Sequence, residues 1–330
     1  MLKKIRKSNN EGRMRLIHMF LIFTSVISFF AYVVLKLLYP QAIVGGNNSQ
    51  VEKNYSVKAT DSTLIDTSLY QSVFGYTDNC HENFPLGAPV LNDNSIANKS
   101  ALFCYQKYAV QYNATTKTPI WESHVLRKKD FKGAEYVERT NDFREDPNIQ
   151  GKTFSASPQE YTRSGYDRGH LAPAADFSYN TQIMSESFYM TNIAPQAPQN
   201  NRQIWSRLEQ AVRKLAKHPK IDELYVTTGV AYYRDKGTGW GDNNGSLGII
   251  GRGILVPTDF YKIIIEPKTG QSAAYLIPNA NNVGNQHFNN FLIKISDLEK
   301  ITQINFNPQL DSDTRKKIEV DGGTLAQSLE

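Results

Sequence analysis

Apolar residues recur at helical spacing between Pro198 and Pro219. The apolar positions are Trp205, Leu208, Val212 and Leu215. Spacings of three and four place such side chains on one face of an α-helix, and the prolines limit its ends. The pattern predicts a helix over residues 201–217. Residues four apart on that helix lie along one slowly drifting stripe, which here is Asn201, Trp205, Glu209 and Arg213.

Runs rich in β-branched and aromatic residues predict strands on both sides of this helix. The clearest runs are residues 119–126, 224–230, 261–266 and 272–277, and residues 267–270 are typical of a turn between the last two. Residues 237–253 hold seven glycines among polar residues and predict a loop. The elements predict an α+β fold in which helices flank an antiparallel β-sheet core.

A run of twenty residues, 16–35, contains no Asp, Glu, Lys or Arg. As a helix it would span about 30 Å, the thickness of a bilayer core, which predicts a transmembrane helix over residues 16–38. One alternative is a cleaved signal peptide, whose apolar region is usually about 7–15 residues long and is followed by a cleavage site of small residues. Another alternative is a mitochondrial presequence, for which the run is too apolar. Residues 36–40 are a poor cleavage context, so the pattern favours the anchor.

The basic residues around this run indicate its orientation. Six cations precede it within residues 1–15, and only Lys36 follows closely. The positive-inside rule then places the N-terminus in the cytoplasm and the rest of this single-pass membrane protein on the periplasmic or another extracytoplasmic side. Residues 39–70 are polar and rich in Asn and Ser, and we interpret them as a linker.

The net charge of +5 is misleading, because residues 1–40 contribute +6 and the remaining chain carries −1. Attraction to a polyanion must therefore be local. Residues 201–220 contain six basic residues against Glu209 alone, so the predicted helix is basic. Such a face is usually only solvated surface, but it also suits contact with phosphates.

The two cysteines, Cys80 and Cys104, allow two interpretations. In an oxidising compartment they would form one disulfide at the start of the folded region. In a reducing compartment they would be two buried thiols.

The segment Tyr166-Asp167-Arg168-Gly169-His170 carries the clearest chemical signal in the chain. In an extended backbone Arg168 and His170 point the same way, with glycine between them allowing close approach. A fixed cation beside a titratable base suits a phosphodiester, because the cation binds phosphate oxygens and the imidazole accepts a proton from water. Taken alone, the segment is more often a salt-bridged turn.

A candidate metal site lies on the predicted helix. Asn201 and Glu209 are two turns apart, roughly 12 Å along the axis, so they cannot easily chelate one ion directly. An amide that binds the ion and a carboxylate that orients its water would suit Mg²⁺, which keeps much of its hydration shell. The alternative is that Asn201 caps the helix and Glu209 is a solvated surface acid.

Together these segments resemble the DNA/RNA non-specific endonuclease family, the ββα-metal nucleases that include secreted bacterial nucleases and mitochondrial endonuclease G. The resemblance rests on residues 164–175, on Asn192-Ile-Ala-Pro-Gln196 and on the Asn201, Trp205, Leu208 and Glu209 pattern. Weaker matches lie at residues 87–89, 143–147, 225–230, 256–262, 298–302 and 306–308. The resemblance covers about residues 70–312.

The resemblance implies a role for each matching residue. His170 would be the general base and Arg168 would contact the scissile phosphate. Asn201 would be the sole direct protein ligand of one Mg²⁺, for which Mn²⁺ could substitute, and Glu209 would bind that ion through water. Arg213 would stabilise the charged transition state and Asn192 would help to build the site. A further family arginine matches Arg139 best, with Arg144 as the alternative.

The resemblance also implies the substrates and products. DNA and RNA would be cut with little sequence preference, leaving 5′-phosphate and 3′-hydroxyl ends. Relatives of this kind are often homodimers, and an inhibitor protein is a further possible partner. The predicted organisation is a cytoplasmic tail at 1–15, an anchor at 16–38, a linker at 39–70, the endonuclease domain with its ββα-metal active site at 71–312 and a polar, frayed tail at 313–330.

Two other functions are compatible with the fold. One is a catalytically inert nucleic-acid-binding module, against which the presence of His170, Asn201 and Glu209 argues. The other is a phosphodiesterase of small nucleotides, which relative rates on dinucleotides and long polymers would distinguish.

Overall fold

The computed structural model describes residues 78–131, 137–233, 245–320 and 324–329. The strands in these ranges are β1 Val90–Leu91, β2 Ser100–Cys104, β3 Tyr108–Asn113, β4 Thr118–Arg127, β5 Asp167–His170, β6 Ile193–Gln196, β7 Glu223–Ala231, β8 Ser246–Ile250, β9 Ile254–Pro257, β10 Asp259–Glu266, β11 Gln271–Pro278, β12 Leu292–Ile293 and β13 Ile304–Asn305. The α-helices are α1 Asn94–Ala97, α2 Lys128–Phe131, α3 Thr181–Glu186, α4 Ser206–Ala216, α5 Ile295–Thr302 and α6 Ser312–Arg315.

Shorter helical turns connect these elements. The 3₁₀ turns are Asp78–Asn83, Pro158–Tyr161, Ala174–Phe177, Met190–Asn192, Asn281–Val283, Phe288–Phe291 and Thr324–Leu329. Asn200–Trp205 and Lys316–Val320 are π-helical.

Seven strands form an antiparallel sheet at the centre of the described chain, in the order β12-β11-β10-β7-β4-β3-β2. The strands β4, β7, β10 and β11 include the four runs predicted from the sequence, and the predicted turn joins the last two. The antiparallel sheet core of the α+β class is therefore confirmed.

Apolar side chains cover both faces of this sheet. On one face, Val226 and Phe260 are buried in one cluster with Leu208 of α4. On the other face, Trp121 packs in a second cluster with Leu298 of α5. Burial of each such side chain contributes roughly 1.5–3 kcal/mol, so the two clusters fix α4 and α5 on opposite sides of the sheet.

A separate antiparallel ribbon of β5 and β6 carries the Asp-Arg-Gly-His segment. In it Gly169 pairs with Ala194, and His170 pairs with Ile193. A Cβ atom at position 169 would lie only 2.6 Å from the Cβ of Gln196, so the close pairing requires glycine. The ribbon leads into the helix that starts at Asn200, which gives the predicted ββα arrangement.

The helix predicted at 201–217 is present, but its first turn is wider than an α-helical turn. Residues Asn200–Trp205 are π-helical and α4 continues to Ala216. A π-turn contains one more residue than an α-turn, so the predicted single stripe is wrong at Trp205. That side chain is 1% exposed and contacts Phe260 in the core.

A disulfide joins Cys80 and Cys104, as expected for an oxidising compartment. It connects the turn Asp78–Asn83 to β2, with Cys80 fully buried among apolar residues. Closing a loop of this length stabilises the fold by roughly 3 kcal/mol in the chain-entropy description.

Two further predictions from the sequence are wrong. The described part of the C-terminal segment is not a frayed tail, because Leu325 and Leu329 are buried against the face of the sheet that α4 covers. These apolar residues are four apart, so a short helical turn presents both to the core. The second wrong prediction is the glycine-rich loop, which the structure describes from residue 245 onwards. Within this part, β8 is a strand that pairs with β9 in an antiparallel arrangement.

The predicted cytoplasmic tail, transmembrane helix and linker, residues 1–70, lie outside the described residues. Among the residues that are described, no helix has the length and apolar character that crossing a bilayer requires.

Candidate active site

A cavity of about 170 Å³ opens between the ribbon β5–β6 and the N-terminal half of the long helix. Its wall contains Arg139, Arg168, His170, Pro173, Ala174, Ala175, Asn201, Arg202, Ser206 and Glu209. The structure thus brings together five of the residues singled out in the sequence, although they are spread over seventy positions.

His170 is held as a neutral base. Its Nε2 atom is buried and has no hydrogen-bond partner among the described residues. Burial and, after it, the nearby charge of Arg139 lower the pKa of His170 to about 3, although a hydrogen bond with the backbone of Arg168 opposes the shift. A neutral imidazole with an open nitrogen is ready to accept a proton.

Two phenylalanine rings fix the position of the His170 ring. The Phe143 and Phe188 centroids lie 5.2 and 4.8 Å from the imidazole centroid. Arg168 stacks on Phe143 at 5.2 Å, and Arg139 stacks on Phe188 at 4.8 Å. Each phenylalanine therefore supports the histidine and one arginine.

The side-chain oxygen of Asn201 is available to bind a ligand, whereas its side-chain nitrogen is engaged in a hydrogen bond. Its Nδ2 donates to Oδ2 of Asp167 at 2.9 Å. The same carboxylate accepts two hydrogen bonds from Arg202, at 2.8 and 2.6 Å. Because a carboxylate only accepts, it fixes the amide orientation and leaves Oδ1 as the atom that can bind a cation.

Glu209 lies on the same wall and is partly buried. Burial raises the pKa of its carboxyl to about 7, although the charges of Lys262 and Arg213 lower it. A cation in the cavity would favour the ionised form of this carboxyl.

The structure distinguishes the two candidate upstream arginines. Arg139 lines the cavity, and its Nε donates to Asn141 at 2.8 Å. Arg144 does not line the cavity. Its Nη1 is paired with Asp142 at 2.6 Å, and its guanidinium stacks on Tyr189.

Two other predicted site residues support the cavity from outside its wall. Asn192 is fully buried and bridges the backbone of Ala172 to that of Ser187 through three hydrogen bonds of 2.8–3.0 Å. Arg213 donates from Nη1 to Asp176 at 2.8 Å. Asn192 thus braces the segment after His170, and Arg213 is held by an ion pair.

The wall also contains Ser206, which the sequence did not single out, and Arg202, which the sequence included only as one of the six basic residues of the helix. Arg202 and Ser206 follow Asn201 by one and five positions, and both face the cavity. The five-residue spacing is the repeat of a π-turn, so the helical periodicity used for the prediction could not find Ser206. The sequence signal for Arg202 was its membership of the basic cluster that begins beside Asn201.

The basic helix contributes less to the cavity than its composition suggests. Of the six basic residues at 201–220, only Arg202 lines it. Arg207 donates to the carbonyls of Gly284 and Gln286, and Lys217 stacks on Phe131. The positive charge of the cavity comes mainly from Arg139, Arg168 and Arg202.

The donor set fits a hard divalent cation that keeps most of its water. The available oxygen of Asn201 and the carboxylate of Glu209 belong to the ligand types that Mg²⁺ prefers. In the described part of the chain, no three His, Cys, Asp or Glu side chains are grouped as a metal site. Any ion here would therefore take few ligands from the protein.

A ββα unit that holds a neutral histidine, an oxygen donor and several arginines around one cavity defines a site of the phosphodiester-cleaving class. The chain belongs to the DNA/RNA non-specific endonuclease family, whose model matches residues 88–313.

Several named relatives are similar to this chain. Mitochondrial nuclease EXOG of Xenopus laevis is 32% identical over 68% of this chain and 63% of its own length. Nuclease C1 of Cunninghamella echinulata var. echinulata is 32% identical over 63% of this chain and 83% of its own. Human mitochondrial endonuclease G is 30% identical, over 62% of this chain and 69% of its own. The chain thus spans about three fifths of the EXOG relatives it matches.

A solved structure of EndoG in complex with EndoGI, described as showing the mechanism of EndoG inhibition, has a similar fold. Its TM-score is 0.62 at 26% identity, and the match covers 72% of this chain and 95% of that one.

We expect the imidazole of His170 to stay neutral in the folded protein at mildly acidic pH. Its pKa of about 3 lies below the ordinary value of about 6.5, so the unfolded chain takes up this proton first and stability falls as pH decreases from about 6.5 towards 3. The measurement is the NMR shift of the His170 ring between pH 5 and 8. The same signal in denaturant, which should titrate near 6.5, is the control, and titration in the folded state would contradict the expectation.

Proposed function

We propose that this protein is a Mg²⁺-dependent endonuclease that hydrolyses DNA and RNA with little sequence preference. The carrying observation is that one cavity is lined by His170, Asn201 and three arginines, and that the buried Nε2 of His170 has no hydrogen-bond partner among the described residues. Family membership and the nuclease relatives support the assignment.

The size of the cavity supports contact with the nucleic-acid backbone. About 170 Å³ is enough for a phosphate group with some water but lies below the 300–1,000 Å³ typical of sites that enclose small molecules. Contacts to phosphate and sugar carry little sequence information. A long polymer therefore fits the site better than an enclosed small nucleotide.

The proposed reaction uses the residues as they lie. Arg168 and Arg139 bind the non-bridging oxygens of the scissile phosphate. His170 takes a proton on Nε2 from the attacking water, whose oxygen forms a bond to phosphorus. The bond from phosphorus to the 3′ oxygen breaks, and that oxygen leaves with a proton from solvent. The products carry 5′-phosphate and 3′-hydroxyl ends.

Asn201 would hold the metal through Oδ1, and Glu209 would accept hydrogen bonds from the water around it. When bound, the ion supplies positive charge that stabilises the charge developing on the phosphate. Mn²⁺ is an expected substitute, because it accepts the same oxygen ligands. A homodimer and a protein inhibitor, both implied by the resemblance, remain predictions.

Digestion of supercoiled plasmid and of RNA by the full chain in mild detergent tests the proposed function. Both polymers should be cut with Mg²⁺ and left intact with EDTA. His170→Ala should lower the rate roughly 100-fold or more, because general-base catalysis contributes factors of about 10²–10⁴. The exposed His218, which lies outside the cavity wall, provides the control variant His218→Ala.

Three outcomes of this digestion argue against the proposal. A folded wild-type protein that cuts neither polymer indicates an inert binding module. Faster cleavage of dinucleotides than of long polymers indicates a small-nucleotide phosphodiesterase. If His170→Ala cuts within a few-fold of wild type, the base has been assigned wrongly.

We expect Asn201→Ala to raise the Mg²⁺ concentration that gives half-maximal rate by about tenfold or more, since it removes the only proposed direct ligand. Binding of Mn²⁺ to the free protein, followed by electron paramagnetic resonance, should weaken in parallel. Asn285→Ala, at an exposed asparagine away from the cavity, should change neither quantity. Unchanged metal dependence in Asn201→Ala would place the ion on other residues.

We propose further that residues 16–38 anchor the protein, with the nuclease domain on the extracytoplasmic side. The uncharged run, the preceding cations and the Cys80–Cys104 disulfide support this topology. The full chain should stay with membranes in alkaline carbonate, dissolve in detergent and be digested by protease added outside intact spheroplasts or sealed vesicles of matching orientation. Release into the soluble fraction after loss of the N-terminal residues would instead indicate a signal peptide.

A further inference from the structure

Four ionisable side chains form a continuous chain of contacts beside the cavity. Glu122 Oε2 lies 2.9 Å from Nδ1 of His124, and Nε2 of His124 lies 3.1 Å from Oδ2 of Asp176. The other oxygen of Asp176 accepts from Nη1 of Arg213 at 2.8 Å. We refer to Glu122, His124, Asp176 and Arg213 as the buried polar chain.

The geometry indicates that His124 is an imidazolium. Both of its ring nitrogens face carboxylate oxygens, whereas a neutral imidazole can donate only one hydrogen bond. Burial opposes the charge, but Glu122 and Asp176 together raise the pKa of His124 to about 9. The chain then alternates in sign from Glu122 to Arg213, so each charge has an opposite neighbour.

Stability alone does not explain this arrangement. Glu122 and His124 are fully buried, and Asp176 is 3% exposed. Buried ion pairs recover their desolvation cost only with good geometry, and apolar replacements of similar volume are often as stable or more stable. A chain of such groups in the core therefore suggests a role in fixing an orientation.

The buried polar chain connects three elements that build the active site. Glu122 and His124 belong to β4 of the central sheet. Asp176 belongs to the turn Ala174–Phe177, whose first two residues line the cavity. Arg213 lies on α4 one turn after Glu209, and its charge acts on the Glu209 carboxyl. The sheet thus sets where the Arg213 guanidinium sits relative to the cavity.

We infer that Asp176, held in place by His124 and Glu122, is a positioning residue that orients the Arg213 guanidinium beside Glu209 for the transition state. This inference rests on the proposed nuclease function. Because Arg213 does not line the cavity, misplacing it should affect the chemical step more than substrate binding. Asp176 itself touches neither substrate nor metal in this scheme.

A double-mutant cycle on the full chain tests the inference. Asp176→Asn keeps the side-chain shape and removes the charge, and it should lower kcat about tenfold or more on plasmid DNA while KM changes less than about twofold. In an Arg213→Ala background, the same Asp176→Asn change should alter kcat by less than about twofold, because the group it positions is gone. Independent, multiplicative losses would overturn the inference.

A matched control separates positioning from loss of stability. Glu319 is 3% exposed and pairs with Arg315 at 3.0 Å, away from the cavity. Glu319→Gln breaks a buried arginine–carboxylate pair and should lower the melting temperature without lowering kcat well below that temperature. An equal loss of kcat in Glu319→Gln would show that breaking any buried pair has this effect, and would contradict a specific role for Asp176.

A spectroscopic measurement does not depend on activity. The NMR signal of the Arg213 Nη1–H group, which donates to Asp176, should be protected from exchange in the wild-type protein and lose protection in Asp176→Asn. If Asp176→Asn does not fold, Glu122→Gln, two contacts further from Arg213, should weaken the same signal. An unchanged signal in the folded variants would overturn the inference. If the signal is protected in the wild-type protein and loses protection in the variants, but the wild-type protein cuts no nucleic acid, only the proposed function is rejected.

Discussion

The burial of His170 among phenylalanine rings and arginines is the interaction on which the site depends. A histidine that accepts a proton has to be neutral beforehand, and here burial and the charge of Arg139, which would also bind phosphate, both disfavour the protonated ring. Phe143 and Phe188 exclude water from the ring, and the two arginines stack on their outer faces. One small apolar frame thus sets the charge state of the base and the position of the phosphate-binding cations together.

That frame in turn requires a rigid scaffold. The imidazole is carried by a four-residue strand whose partner approaches so closely that only glycine fits between Arg168 and His170. Asn192 braces the segment that follows, and the buried polar chain connects the next turn to the central sheet. Polar contacts deep in the protein therefore hold a site whose own wall is partly open to solvent.

Local patterns in the sequence were sufficient for four strands of the central sheet, for the long helix and for the centre of the candidate site. Runs rich in β-branched and aromatic residues predicted β4, β7, β10 and β11, because such side chains pack well on both faces of one sheet. Arg168, His170 and Asn201 were found because they lie within short motifs. The choice of Arg139 over Arg144 was not decided by the sequence, since both precede the motif and only the fold brings one of them to the cavity.

The features that the sequence did not predict depend on contacts between distant segments. Asp176 is an ordinary acid in the sequence, and its role follows only from its meeting with β4 and α4. The burial of Leu325 and Leu329 likewise depends on distant residues of the sheet and of α4 that form one cluster with them. The apolar spacing placed Trp205 correctly with Leu208 in the core, but the four-residue stripe that joined Trp205 to Asn201 and Glu209 failed, because that spacing assumes a regular α-helix.

The π-turn at Asn200–Trp205 has a consequence for how the protein can change. One residue rotates the rest of an α-helix by about 100°, so the extra residue sets the rotational phase between Asn201 and the body of the helix. Trp205 can then enter the core while Asn201 and Glu209 share one cavity. Insertions or deletions in this segment would therefore rotate Asn201 relative to Glu209 about the helix axis, even if every residue around the cavity were kept. In comparisons of related chains, a gap placed here would pair residues that face different directions.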